Sequence, residues 1–260
     1  MTNIINEKRR NRIITFLNSL KIKSKRFSEI IRAQNISVIK DVNQALIHSS
    51  DNKIINYEKL EFFGDAVLRL AASNFIEKKY PQMSVGARSE LRAQIVSDEW
   101  LIKLGKKIGI EKVIIKGPKA LGDENSKNTI IGEATEAFIG SLYKCFNSIQ
   151  EVNIWLDDIW EEDSKLFLKA PYKFKSKTVL QEWCQSQGFN LPVYKIIEVS
   201  QNHGDPNRFS CEIYINGSKQ ACCFGKSHKK AEKNAASILI DKIFNESGKL
   251  IIQTNSKLVN

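Results

Sequence analysis

Three carboxylates lie among bulky apolar residues in the stretch YEKLEFFGDAVLRLAA, residues 57–72. Glu58, Glu61 and Asp65 are spaced i, i+3 and i+7, so on a helix they fall within roughly 60° of one another. Glu61 and Asp65 are also like charges at i and i+4, which destabilise an isolated helix. Acids arranged in this way need either basic partners or a bound cation.

A second apolar stretch, TIIGEATEAFIG, carries Glu133 and Glu136 at i and i+3. Salt bridging is the structural alternative for all these acids, and Asp65 has Arg69 at i+4 as a partner. Glu133 and Glu136 have no Lys or Arg at i+3 or i+4, and unpaired carboxylates beside an apolar core are costly. A hard divalent cation would compensate them, and Mg²⁺ prefers oxygen ligands. In a protein that also binds phosphodiesters, the two stretches together would predict metal-assisted phosphodiester hydrolysis.

The charge of the chain indicates a polyanionic partner. Its 260 residues are 42% hydrophobic and carry a net charge of +11, with a pI of about 9.3. Nucleic acid is the first candidate and an anionic membrane surface the second. No apolar run approaches the roughly 20 residues of a membrane span, and the basic start is followed by too short an apolar patch for a secretory signal. We therefore expect an intracellular protein, with nucleic acid rather than a membrane as its partner.

The cysteines and histidines do not predict a metal site. The five cysteines are odd in number and form no CxxC pair, which favours reduced thiols in the core. The three histidines, His48, His203 and His228, are far apart in the sequence. The carboxylates remain the candidate ligands.

Helical spacing of apolar residues runs through nearly all of residues 1–168, in FSEIIRAQ, VNQALIHSS, SELRAQIVSDEWLIKLGKKIG and VNIWLDDIWEEDSKLFL as well as in the two acidic segments. After the lysine-rich APYKFKSK come a helix, three strands with Asn216-Gly217 as a hairpin turn, and a last helix. The sequence predicts an all-α domain followed by a small α+β module of order α-β-β-β-α. The boundaries we expect are 1–168 for the helical domain, 169–176 for a linker, 177–245 for the module and 246–260 for a C-terminal tail.

A basic cluster lies where the third strand passes into the last helix, in GKSHKKAEK. Residues 170–244 hold eleven Lys or Arg against six Asp or Glu, which a generic lysine-rich surface would also explain. The position at a helix N-terminus favours phosphate binding instead. The cluster comprises Lys226, His228, Lys229, Lys230 and Lys233.

These segments carry a resemblance to a known family. YEKLEFFGDAVL resembles the ERLEFLGDAVL signature of the ribonuclease III family, NQALIHSS resembles its ALTHSS segment, and IIGEATEAFIGSLY resembles its second acidic segment, ADxxEALIGALY. Residues 177–244 resemble a double-stranded RNA-binding domain through LQEW, LPVYKIIE, RFSCEIYINGSKQACCFGKS and KKAEKNAA. The tyrosine before the first glutamate and the loop DPNRF are most similar to cyanobacterial or algal plastid members.

The resemblance implies a role for each matching residue. Glu61, Asp65, Glu133 and Glu136 match the metal ligands, with Asp65 and Glu136 as the catalytic pair and Glu58 as an auxiliary acid. Gln181 and Glu182 match positions that face the RNA minor groove, and His228 and Lys229 match a lysine pair that contacts phosphates across the major groove. Three departures are Glu133 in place of the usual Asp, His228 in place of Lys, and His203 in an atypical loop between the first two strands.

The resemblance implies a homodimeric endoribonuclease, joined through its helical domain, that cuts double-stranded RNA with Mg²⁺, or Mn²⁺ in its place. The ends would be 5′-phosphate and 3′-hydroxyl with short 3′ overhangs. Its substrates would be ribosomal and messenger RNA precursors, in a bacterial cytoplasm or a plastid stroma. Two alternatives stay open: a non-catalytic RNA-binding or ribosome-assembly protein of the same fold, and a DNA-binding nuclease.

Overall fold

The computed structural model describes residues 5–121, 126–169, 175–202 and 205–245, and the chain divides into two compact units, Met1–Leu166 and Phe167–Asn260. The described part of the first unit is helical, and that of the second combines helices with a three-stranded sheet. The elements in chain order are α1 (Glu7–Ser19), α2 (Lys25–Arg32), α3 (Ile36–Ala45), α4 (Glu58–Lys79), α5 (Val85–Ile95), α6 (Asp98–Ile108), a 3₁₀ turn (Ile110–Lys112), α7 (Pro118–Leu121), α8 (Lys127–Phe146), α9 (Ile149–Lys169), α10 (Ser176–Ser186), β1 (Val193–Glu198), β2 (Phe209–Ile215), β3 (Ser218–Gly225) and α11 (His228–Asn245). The predicted fold class is confirmed.

Helix α8 forms the centre of the first unit because it is apolar around most of its circumference. It packs against α3, α4 and α6. Its buried hydroxyls do not remain unpaired, since Thr135 and Ser141 donate to carbonyl oxygens of the preceding turn. Trp160 of α9 is fully buried and donates from Nε1 to the Ile95 carbonyl at 2.9 Å. No helix of the described ranges combines the length and the apolar character that crossing a bilayer requires.

Two helical predictions ran past the observed helix ends. VNQALIHSS does not stay helical, because α3 ends at Ala45 and Ile47 pairs with Ile115 in an isolated parallel β-bridge. SELRAQIVSDEWLIKLGKKIG is two helices, α5 and α6, because Ser97 accepts from the Trp100 amide and starts a new helix. A serine oxygen that accepts from a backbone N–H in this way favours the start of a new helix over continuation of the preceding one.

The second unit is an antiparallel sheet of order β1-β2-β3 with α10 and α11 packed on one face. Alternate residues of β2 point into the core, which consists of Phe209, Cys211, Ile213 and Ile215 together with the apolar stripes of the two helices. Asn216 and Gly217 both have positive φ, at 49° and 78°. That backbone matches the twist of a hairpin turn between β2 and β3, as the sequence predicted.

Candidate metal centre and nucleic-acid interface

A close crossing of α4 and α8 brings the two acidic stretches together. A Cβ atom added at Gly64 of α4 would collide with the Glu136 carbonyl oxygen, and one at Gly140 of α8 would collide with the Leu60 carbonyl oxygen. Glycine at both positions therefore lets the backbones approach to a separation that no other residue allows. The start of α4 is fixed by Asn56, whose Oδ1 accepts from the Glu58 amide at 3.0 Å.

The carboxylates of the two helices act on one another electrostatically. Burial, followed by the charges of Glu133 and Glu58, raises the pKa of Glu61 to about 7. Burial, followed mainly by the charges of Asp65 and Glu61, likewise raises the pKa of Glu136 to about 7. All five acids of the sequence prediction thus belong to one electrostatic group. The group carries an excess of negative charge even with Arg69 beside Asp65, and its oxygen donors are of the kind that a divalent cation prefers.

Two of the four predicted ligands are held by protein donors. Arg69 Nε donates to both carboxylate oxygens of Asp65, at 2.7 and 2.8 Å. Tyr57 donates from its hydroxyl to Glu133 Oε2 at 2.5 Å. Within the described ranges, no three His, Cys, Asp or Glu side chains converge closely enough to form a metal site. The acids share one location, and their joint coordination of a cation stays a prediction.

Tyr57 is a site residue that the sequence analysis missed. It is 1% exposed, and burial, followed by the hydrogen bond to Glu133, raises its pKa. The hydroxyl therefore stays protonated and orients the Glu133 carboxylate. The ring of His48 contacts the Tyr57 ring edge-on at 5.5 Å, and His48 Nδ1 lies 2.7 Å from Ser50 Oγ. The histidine of the NQALIHSS segment thus packs against the tyrosine that orients Glu133.

Asp98 is a second residue of the site that the sequence analysis missed, and it adds a sixth acid. It is the first residue of α6, and its charge contributes to the raised pKa of Glu136. It lies 38 positions before Glu136 in the sequence, so neither helical periodicity nor a local motif could have joined the two. Only the packing of α6 on α8 brings this charge to the site.

The predicted basic cluster spans the junction of β3 and α11. Lys226, His228 and Lys229 are exposed, whereas Lys230 and Lys233 are half-buried. The junction is tight, because a Cβ atom at Gly225 would collide with the Ala231 amide nitrogen. The His228 ring contacts the Phe209 ring edge-on at 4.4 Å.

At the helix start, Ser227 Oγ accepts from the Lys230 amide at 3.3 Å. The cluster therefore combines exposed cations with the positive end of an eighteen-residue helix, which is an arrangement suited to phosphate groups.

Helix α10 presents the other predicted contacts. Gln181 and Glu182 are both exposed. Lys177 Nζ lies 2.5 Å from Glu232 of α11, which ties the two helices together. His203 lies outside the described residues, so its predicted loop position has no structural account. The exposed face of α10 and the β3–α11 junction are the two parts of the candidate interface.

Comparison with known proteins identifies both units. Residues 40–153 match the family model described as Ribonuclease-III-like, and residues 176–243 match the double-stranded RNA binding motif. Ribonuclease 3 of Prochlorococcus marinus is 47% identical over 217 residues, covering 84% of this chain and 87% of that protein. Ribonuclease 3 2 of Nostoc sp. is 34% identical, covering 75% and 80%, and ribonuclease 3 of Ehrlichia ruminantium is 34% identical, covering 78% and 89%.

A solved nuclease domain of ribonuclease III from Campylobacter jejuni, described with a region involved in dimer formation, aligns at 22% identity and a TM-score of 0.41, covering 61% of this chain and 95% of that one. The extent and identity of the bacterial relatives decide the assignment. As the acidic signatures and the module predicted, and with cyanobacterial members among its relatives, the chain belongs to the ribonuclease III family.

Proposed function

We propose that this protein is a double-strand-specific endoribonuclease that uses Mg²⁺. The observation that carries the proposal is the joining of the two acidic stretches by the α4–α8 crossing, in a chain that also contains a double-stranded RNA binding motif. The family is one of metal-dependent nucleases. The choice of Mg²⁺ rests on the all-oxygen donor set, with Mn²⁺ as a substitute.

Each acid has a proposed part. Glu61, Asp65, Glu133 and Glu136 would hold the cation, with Asp65 and Glu136 closest to the reacting phosphate. The bound cation would supply Lewis-acid chemistry at the phosphodiester. Tyr57 donates to Glu133 and orients its carboxylate, and Arg69 pairs with Asp65, for which a bound cation would compete. Glu58, exposed at the start of α4, adds negative charge that raises the pKa of Glu61.

The proposed substrate contacts follow from the second unit. The cations of the β3–α11 junction would bind phosphates, while Gln181 and Glu182 of α10 would lie in the minor groove. A-form RNA is recognised in this way, by shape, 2′-hydroxyls and phosphates. The domain assignment that we propose is 1–168 catalytic, 169–176 linker, 177–245 RNA-binding and 246–260 tail. Residues 170–174 and 246–260 lie outside the described ranges.

A homodimer is the proposed assembly, because one acidic group cuts one strand and scission of a duplex needs two. Phe62 on α4 is 84% exposed, and Phe63 is 39% exposed beside Tyr143. Exposed aromatic rings on the helix that carries the site are suited to a two-fold contact. Sedimentation of the full chain should report a dimer, and Phe62→Glu should shift it to a monomer. A monomeric parent protein would contradict the assignment.

Cleavage of long duplex RNA tests the proposed function. We expect cutting with Mg²⁺, none with EDTA, and none of a DNA duplex of equal length. Binding without cutting under all metal conditions would instead support the non-catalytic RNA-binding protein. The proposed role is processing of ribosomal and messenger RNA precursors in a bacterial cytoplasm or plastid stroma. The bacterial relatives support that setting.

A further inference from the structure

A cavity of about 870 Å³ lies in the helical unit, between α1 and the turn that follows α6. Its volume is within the range of small-molecule sites, about 300–1,000 Å³. None of its lining residues belongs to the acidic group or to the basic cluster. The wall is formed by Glu7, Lys8, Asn11, Arg12, Thr15, Phe16, Ser19, Ile108, Gly109, Lys112 and Val113.

Positive charge exceeds negative charge around this cavity. Among the described wall residues there are three cations, Lys8, Arg12 and Lys112, and one carboxylate, Glu7. Arg12 Nη2 donates to the Lys112 carbonyl oxygen at 2.5 Å, which holds the guanidinium across the cavity wall. A tethered guanidinium with two exposed lysines beside it is suited to a phosphate group.

Arg9 does not line the cavity but is tied to its wall. Its Nε donates to Asn43 Oδ1 at 2.8 Å and its Nη1 to the carbonyl oxygen of Val113, a wall residue, at 2.5 Å. Its Nη2 is buried and has no hydrogen-bond partner among the described residues. Burial, followed by the charge of Arg12, lowers the pKa of Arg9 to about 10.

The rest of the wall is largely apolar. Phe16 and Val113 are buried apolar residues of the wall, and Ile108 is half-buried. Asn11 and Thr15 add an amide and a hydroxyl at i and i+4 on the same side of α1. We propose that this cavity binds a phosphorylated nucleoside, with its phosphate against Lys8, Arg12 and Lys112 and its base against Phe16. The ligand is either a free nucleotide or the phosphorylated end of an RNA strand.

The test is a set of titrations of the full chain in EDTA, where the acidic group holds no cation. The probes are 5′-AMP, adenosine, inorganic phosphate and a 5′-phosphorylated single-stranded RNA dodecamer. One variant, Lys8→Glu with Lys112→Glu, reverses the charge at exposed positions, and a second, Thr15→Trp, fills the cavity from an exposed position. The matched control is Lys40→Glu with Lys53→Glu, which makes the same charge change at exposed lysines that do not line the cavity.

We expect 5′-AMP to bind the parent protein and the control within twofold of each other, and both cavity variants to lose at least tenfold in affinity. Tighter binding of the dodecamer, with the same dependence on the cavity variants, would identify an RNA end as the source. Equal binding by the cavity variants and the control would overturn the proposal. So would inorganic phosphate binding as tightly as 5′-AMP, because the base would then contribute nothing. None of these outcomes depends on cleavage activity.

Discussion

The acidic group and the basic cluster hold their charges in opposite ways. All the predicted acids except Glu58 are half-buried between two packed helices, and burial, followed by mutual repulsion, raises the pKa of Glu61 and of Glu136. At the β3–α11 junction, Lys226 and Lys229 are exposed at the end of a helix, where water screens their repulsion. A change to the acids should therefore act on one chemical step and act strongly. A change to the lysines should act on binding, in proportion to the number of phosphates that the altered surface no longer neutralises.

The largest expected effect comes from Glu136→Gln, which keeps the shape of the side chain and removes its charge. Cleavage of duplex RNA should fall by at least about 100-fold, the scale of removing one electrostatic stabiliser of a transition state. Duplex binding should stay within twofold of the parent value. Glu29→Gln, at an exposed carboxylate of α2, is the control and should cut normally. Full activity of Glu136→Gln would refute the assignment of this acid.

Replacement of Lys229 and Lys230 by Ala should weaken duplex binding by about tenfold. The slope of log affinity against log salt should fall in magnitude by about two, because each lysine that neutralises a phosphate accounts for about one unit. Unrelated duplex sequences should be affected equally, because phosphate contacts do not read bases. The control pair is Lys195 and Lys219, which instead contact Tyr214 and Glu212 within the sheet. Equal weakening by the two pairs would leave only a generic basic domain.

A smaller effect is expected from Tyr57→Phe, which removes the donor to Glu133. The free energy of unfolding should fall by about 1–2 kcal/mol, the scale of a hydrogen bond to a charged group in a partly exposed site. Tyr80→Phe is the matched control, since its hydroxyl lies 2.8 Å from the neutral Ser164 hydroxyl, and it should cost less. Urea unfolding in EDTA measures both. A larger destabilisation by Tyr80→Phe would contradict the orienting role of Tyr57.

A further expected effect is a pH dependence of stability in the metal-free protein. Glu61 and Glu136 have folded-state pKa values near 7, raised from 4.5. Their stabilising contribution is therefore full below pH 4.5 and is lost as the pH rises through 7. The Glu61→Gln, Glu136→Gln double variant should show a flatter profile between about pH 5 and 8 in urea unfolding. A parent protein that gains stability from these acids over that range would contradict the raised pKa values.

The sequence predicted those parts of the molecule that local spacing determines. The acidic stripes follow from helical periodicity, and the hairpin follows from Asn216-Gly217, whose backbone no β-branched residue would adopt easily. Contacts between distant segments could not be predicted in this way. The Tyr57–Glu133 hydrogen bond and the charge of Asp98 at the site depend on how α4, α6 and α8 pack. The break at Ser97 was missed because apolar spacing continues across it, while a single serine cap decides it.

The crossing at Gly64 and Gly140 has a consequence for how this site can vary. Neither glycine carries a functional group. Both, however, let the backbones of α4 and α8 touch, and this contact brings the two acid pairs together. Even a methyl group at either position would wedge the helices apart and carry one acid pair away from the other. The carboxylates could thus stay unchanged while the centre between them was lost. Tolerance to mutation at this site is therefore limited first at residues with no side chain, and only then at the acids themselves.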